Sequence, residues 1–163
     1  MRRAMPAVML VVALAAASAR ARADDAPTIQ LDPYAQATHG HPACPTPAPP
    51  LLTREQVERG AHARAERGTR CAMEGTCEPG GAYRRDPEIN DAVRATIAAD
   101  TRFADTSIWL TTSRGWVTLQ GCVRATGQRV ALVEAVKKVP RVALVFDETR
   151  AVRVNPPQRR PGS

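Results

Sequence analysis

Aromatic side chains are scarce, two each of Trp, Tyr and Phe, or 4% of 163 residues. That supply does not furnish the interior of a large enzyme, and the length suits one small domain with appendages. The 14 prolines and 10 glycines are spread unevenly, which lowers the share of chain able to bury a core. Long apolar runs are missing as well: Ala7–Ala19 has thirteen residues, short of the ~20 that a membrane-spanning helix needs. No cysteine ends that run, so it does not read as a lipid-anchored N-terminus. Histidine is limited to His39, His41 and His62, all upstream of the best-patterned part of the chain. No histidine there accompanies a nucleophile and an acid, so the reading is not an enzyme, with no catalytic residue and no cofactor to assign.

What is present begins with Arg2 and Arg3, the apolar run, and Ala21-Arg22-Ala23. This is the three-part pattern of a cleaved secretory signal over residues 1–23. Ala4-Met5-Pro6 after the paired arginines favours ordinary export over the twin-arginine route. The formal charge of +7 comes from 23 basic and 16 acidic side chains. Removing residues 1–23 takes four arginines and no acid, leaving 19 against 16, or +3. Charge therefore gives no argument for nucleic acid as a partner.

Residues 24–52 hold seven prolines and read as an extended, polyproline-like arm without a core. Residues 53–85 open with Thr53 and Gln56 at capping-box spacing, which predicts a helix from Arg54 to about Arg67, ended by Gly68. A cysteine-containing loop without apolar periodicity follows. From Asp86 the pattern sharpens. Asp86 suits an N-cap and Pro87 a first helical position, and Ile89, Ala92, Val93, Thr96 and Ile97 recur at helical spacing to about Asp100. Ser107–Thr112 and Trp116–Val123 alternate as strands around a turn at Ser113-Arg114-Gly115, with Gly115 suited to a bulged hairpin. Thr126 and Gln128 open another helix, with Val130, Val133 and Val136 on one side, and Pro140 stops it. Val142–Val154 is strand-like, and residues 155–163 read as a disordered tail.

The order α-β-β-α-β over residues 86–154, with Gly115-x-Val117-x-Leu119-x-Gly121-x-Val123 in its second strand, resembles the BON domain. That family comprises small modules of exported osmotic-shock proteins, secretins and some channels. The resemblance implies an α+β fold, two helices on one face of a three-stranded sheet, here with a proline-rich, cysteine-containing N-terminal extension. It also implies a periplasmic, non-catalytic binding module whose partner is an anionic phospholipid surface or an envelope protein, with no small-molecule substrate. A structural role within an envelope assembly is the alternative. One departure stands out, since Pro140-Arg141 occupies the place where the family usually has a glycine before its last strand.

Four cysteines in an oxidising compartment imply two disulfides, and Cys44, Cys71, Cys77 and Cys122 allow three pairings. The preferred pairing joins Cys71 to Cys77, around a turn at Gly75, and Cys44 to Cys122, fastening the arm to the second strand. Strand alternation puts Val117, Leu119 and Val123 toward the helices and Trp116, Thr118, Gln120 and Cys122 on the opposite face, where Trp109 joins them. Two readings of that face remain open. The tryptophans form a small second core beneath the N-terminal extension, or they anchor an interface at which Arg114 and Arg124 meet anionic groups. A metal or thiol-redox reading rests on His39-x-His41 and Cys44, a spacing that matches no structural zinc pattern, and no metal is assigned.

Overall fold

The computed structural model describes residues 26–152. The expected signal segment and C-terminal tail lie outside the described residues. In chain order the elements are β1 (Ile29–Gln30), β2 (Tyr34–His39), β3 (Leu51–Leu52), α1 (Arg54–Met73), α2 (Asp86–Ala99), a 3-10 turn (Thr101–Phe103), β4 (Ser107–Ser113), β5 (Trp116–Val123), α3 (Thr126–Lys137) and β6 (Leu144–Ala151). They fall into two compact units, one of the residues up to Leu31 with Leu51–Ala65, the other of Asp32–Pro50 with residues from Glu66 onward.

In the first unit β1 and β3 pair antiparallel, Ile29 opposite Leu52. Helix α1 begins there with a reciprocal cap: Gln56 N–H donates to Thr53 Oγ1 at 3.1 Å and Thr53 N–H to Gln56 Oε1 at 2.8 Å, the capping box that spacing calls for. The helix runs on through Gly68 to Met73 instead of stopping near Arg67. Gly68 is a contact residue, because a Cβ there would lie 3.1 Å from the Tyr83 ring.

The second unit is α+β, with a four-stranded sheet in the order β2-β4-β5-β6. β2 and β4 pair antiparallel, as do β4 and β5, while β5 and β6 are parallel. The expected three-stranded sheet gains an edge strand from the proline-rich arm. β4 offers the edge, and the segment can take it: Pro33 and Pro42 flank Tyr34–His39, but no proline interrupts those six residues, so every N–H needed for pairing is present.

One face of this sheet carries the core. Ile89, Val93 and Ile97 of α2 and Leu132 and Val136 of α3 pack on Ile108, Leu110, Val117, Leu119 and Val123, with Phe103 and Val139 between. Val130, expected on the buried side of α3, is exposed. The buried stripe is Leu132, Val136 and Val139, whose four- and three-residue steps keep one face turned to the sheet.

Asp86 also departs from expectation. It is the first residue of α2, Arg85 holds the cap position without a side-chain cap, and the Asp86 carboxylate is buried. It accepts hydrogen bonds from Arg114 N–H at 2.7 Å and Gly115 N–H at 2.8 Å. The β4–β5 turn is a two-residue loop, since Ser113 pairs with Trp116. Arg114 and Gly115 both have positive φ, 59° and 73°, as a type I′ turn requires. Asp86 thus holds the hairpin tip against the start of α2.

Candidate functional site: the helix-free sheet face

Strand register arranges the other face in rows. At the hairpin end Ser113, Trp116 and Leu144 are neighbours, followed by Tyr34, Thr111, Thr118 and Phe146. The next row is Gln36, Trp109, Gln120 and Glu148, and the last holds Ser107, Cys122 and Arg150. The face is apolar and aromatic at one end and charged at the other.

Residues 40–50 form a strap, held at its start by Gly40 N–H to the Thr106 carbonyl at 2.7 Å and His41 N–H to Ser107 Oγ at 3.0 Å, and over the face at two further points. Cys44 is bonded to Cys122 with Cα atoms 5.6 Å apart, in the last row. Tyr34 Oη donates to the Pro47 carbonyl at 3.1 Å, in the second row. Burial pushes the Tyr34 phenol above its ordinary pKa, because the phenolate would lose solvation. Trp109 lies in the row between the two tethers and is only 6% exposed, although it stands outside the helix-side core. Its ring also needs Gly121: a Cβ there would come within 3.0 Å of Trp109 Cε3 and run into the Ser107 carbonyl oxygen.

Beyond the strap the face is open. Trp116, Phe146 and Leu144 are 38%, 42% and 43% exposed. Trp116 and Phe146 meet edge to face at 5.9 Å between centroids, and the Arg114 guanidinium stacks 4.1 Å from the Trp116 ring centre, a cation-π geometry. The two tryptophans therefore divide between the readings the sequence leaves open: Trp109 is enclosed and Trp116 is accessible.

Arg124 is not part of this cluster. It sits just past β5, where its Nε donates to the Asp105 carbonyl at 3.0 Å and its Nη2 to the Gly40 carbonyl at 3.3 Å. The metal alternative loses Cys44 to a disulfide, while His39 is exposed and His41 is buried with Nε2 3.3 Å from the Val152 carbonyl oxygen. Among the described residues no group of three or more His, Cys, Asp or Glu could hold a metal ion. None of the described helices is long and apolar enough to cross a membrane.

Side chains satisfy individual backbone groups of the two edge strands. Val152 N–H donates to the Val123 carbonyl, so strand alternation turns the Thr149 N–H, three residues earlier, away from β5. Asp147 Oδ1 accepts that N–H at 2.9 Å and the Thr149 hydroxyl at 2.6 Å, while Oδ2 takes Arg129 Nε at 2.9 Å. On β2 the register shifts between Gln36 and Thr38. There Ile108 N–H turns to Thr38 Oγ1, and Gln36 Nε2 satisfies the Thr38 carbonyl. A bulge on one edge and an inward carboxylate on the other are devices that discourage strand addition.

Sequence reasoning missed a second cluster. Cys71 and Cys77 are bonded, and the loop they close leads to Glu78, which pairs with Arg85 and lies 3.8 Å from Arg141. Glu88 pairs with Arg85 at 2.8 Å and with Arg141 at 3.5 Å. The hydrogen bond from Arg85 holds the Glu78 carboxyl below its ordinary pKa. Arg141 has φ 67°, the left-handed conformation that suits glycine, so the turn before β6 keeps that geometry with an arginine in it. The available signal was an arginine at 141 where a glycine is usual, but its partners lie more than fifty residues upstream.

Residues 85–153 match the family model described as BON domain. Comparison with curated proteins finds no match.

Proposed function

With residues 85–153 assigned to the BON domain family, we propose that the chain is a non-catalytic, exported docking module that meets anionic phospholipid at the cell envelope through its helix-free sheet face. The observation that carries this reading is the exposed Trp116–Phe146–Leu144 cluster with the Arg114 guanidinium stacked on its indole. An amphipathic ring beside a cation suits a membrane interface, where the apolar body inserts and the charge meets a phosphate. The plugged edges of β2 and β6 favour docking by the face over docking by strand addition.

The test is co-sedimentation of the mature protein with phosphatidylglycerol vesicles at low and high salt. Trp116 is 38% exposed, so binding can bury only that part of a ring whose full burial is worth about 1.5–3 kcal/mol, and Trp116→Ala should weaken binding by roughly three- to sevenfold. Arg114→Gln should remove part of the salt dependence. Binding that ignores both changes, or no binding to anionic vesicles, overturns the reading. Specific crosslinking of Trp116-region probes to an envelope protein, with vesicles inert, would transfer the same face to a protein partner.

A further inference from the structure

The charged end of the same face holds a groove of about 560 Å³ between the strap and β6, with Pro45 and Pro47 on one wall, Gln120, Gly121 and Cys122 as floor, and Glu148 and Arg150 on the other wall. Glu148 Oε2 is held by Gln120 Nε2 at 2.9 Å, an amide and not a cation, so its negative charge is oriented but not neutralised. The Arg150 guanidinium makes no hydrogen bond or ion pair with any described residue. Its neighbour two positions along the strand is the Glu148 carboxylate, and such positions lie roughly 6.6 Å apart on one face. The strap wall is rigid, being proline-rich and covalently fixed at Cys44–Cys122. The groove thus offers an oriented anion and an unused cation side by side in a preformed space.

We propose that this groove binds a small zwitterion, an ammonium group a few bonds from a phosphate, with the ammonium donating to Glu148 and the phosphate accepting from Arg150. A ligand of one charge would gain from one wall and be repelled at the other, whereas a dipolar ligand gains at both. The free compound and the headgroup of a zwitterionic lipid share this chemistry. The site lies at the opposite end of the face from Trp116 and does not depend on the lipid-docking reading.

The experiment titrates the full mature protein, followed by NMR, with phosphoethanolamine, ethanolamine and methyl phosphate. Phosphoethanolamine should bind about fivefold more tightly than either probe carrying one sign of charge, as expected when a second solvent-exposed charged contact worth about 1 kcal/mol is added. Glu148→Gln should reduce it to the level of methyl phosphate, and Arg150→Gln to that of ethanolamine. The exchange Glu148→Arg with Arg150→Glu reverses the dipole and should restore most of the affinity, while Trp116→Ala should leave it unchanged. Both side chains are exposed, so the melting temperature verifies that each variant is folded. Binding of phosphoethanolamine no tighter than the probes of one charge sign, or indifferent to both neutral variants, overturns the proposal. Phosphatidylethanolamine vesicles identify the source: matching sensitivity to Glu148 and Arg150 assigns a lipid headgroup, and inert vesicles with binding of the free compound assign a soluble ligand.

Discussion

Removing the Cys44–Cys122 bond is the perturbation with the largest expected effect. The two residues are 78 apart in sequence, and in the chain-entropy picture a cross-link closing a loop of that length stabilises by about 4.5 kcal/mol. The Cys71–Cys77 bond closes a separation of 6, for which the same relation gives about 2 kcal/mol. Paired alanine substitutions at Cys44 and Cys122 should therefore cost about twice as much as those at Cys71 and Cys77. For a domain near a hundred residues the larger loss lowers the melting temperature by on the order of 15 °C or more. The strap also loses its covalent tether, so Trp109 should gain solvent. In a Trp116→Phe background, where Trp109 is the remaining indole, its emission should move to the red. Thermal denaturation of the wild type and the two paired variants, with fluorescence of the Trp116→Phe protein with and without the Cys44–Cys122 bond, provides the assay. Equal destabilisation by the two pairs of substitutions, or Trp109 emission unchanged without Cys44–Cys122, would refute the idea that this bond holds the strap over the sheet.

Other consequences follow from single contacts. Asp86→Ala removes the acceptor of two N–H groups at the hairpin tip, and at about 1.5–3 kcal/mol for a charged hydrogen bond should destabilise by about 3 kcal/mol or more in denaturant unfolding. Gly121→Ala, at φ 114° and against the Ser107 carbonyl, should cost at least about 2 kcal/mol in the same measurement. The Glu78 carboxyl, lowered chiefly by its hydrogen bond from Arg85, should titrate by NMR below the ordinary glutamate range. Arg85→Gln should raise it toward that range, with Arg141 and Arg84 still holding it somewhat down. Because the folded pKa lies below the unfolded one, that pair supports folding above the unfolded glutamate pKa and loses its contribution as pH falls through the folded value.

Most of the helix-and-strand order was legible because it is written locally. Ile89, Val93 and Ile97 mark a helix by spacing alone, and the alternation of Val117, Leu119 and Val123 fixes which face of β5 meets it. The opposite face was legible only in part. Parity placed Trp109 and Trp116 together, yet their different exposure depends on where a strap eighty residues upstream of β5's end is fastened, and periodicity carries no such distance. β2 was hidden for a related reason. The prolines around it are a strong compositional signal, while six residues without a strict apolar alternation become a strand only when β4 offers an edge. Asp86 illustrates the same limit, since nothing local says that a good capping residue will instead spend its carboxylate on a turn 28 residues away.

Arg141 links the local and distant levels. A glycine at that position would adopt φ 67° without strain, whereas an L side chain there costs roughly 1 kcal/mol. The arginine adds a guanidinium that reaches Glu78 and Glu88, but these pairs are half exposed, and such contacts are worth about 0–1 kcal/mol. The two effects nearly cancel, so Arg141→Gly should shift stability by no more than about 1 kcal/mol. What it removes is a connection between the cysteine loop and the turn before β6. Hydrogen exchange at Glu78–Arg85 should therefore speed up in Arg141→Gly while the sheet amides stay protected. Faster exchange across β5 and β6 would instead mean that the arginine supports the sheet itself, and that its left-handed conformation is part of the fold's foundation and not a tie to the loop.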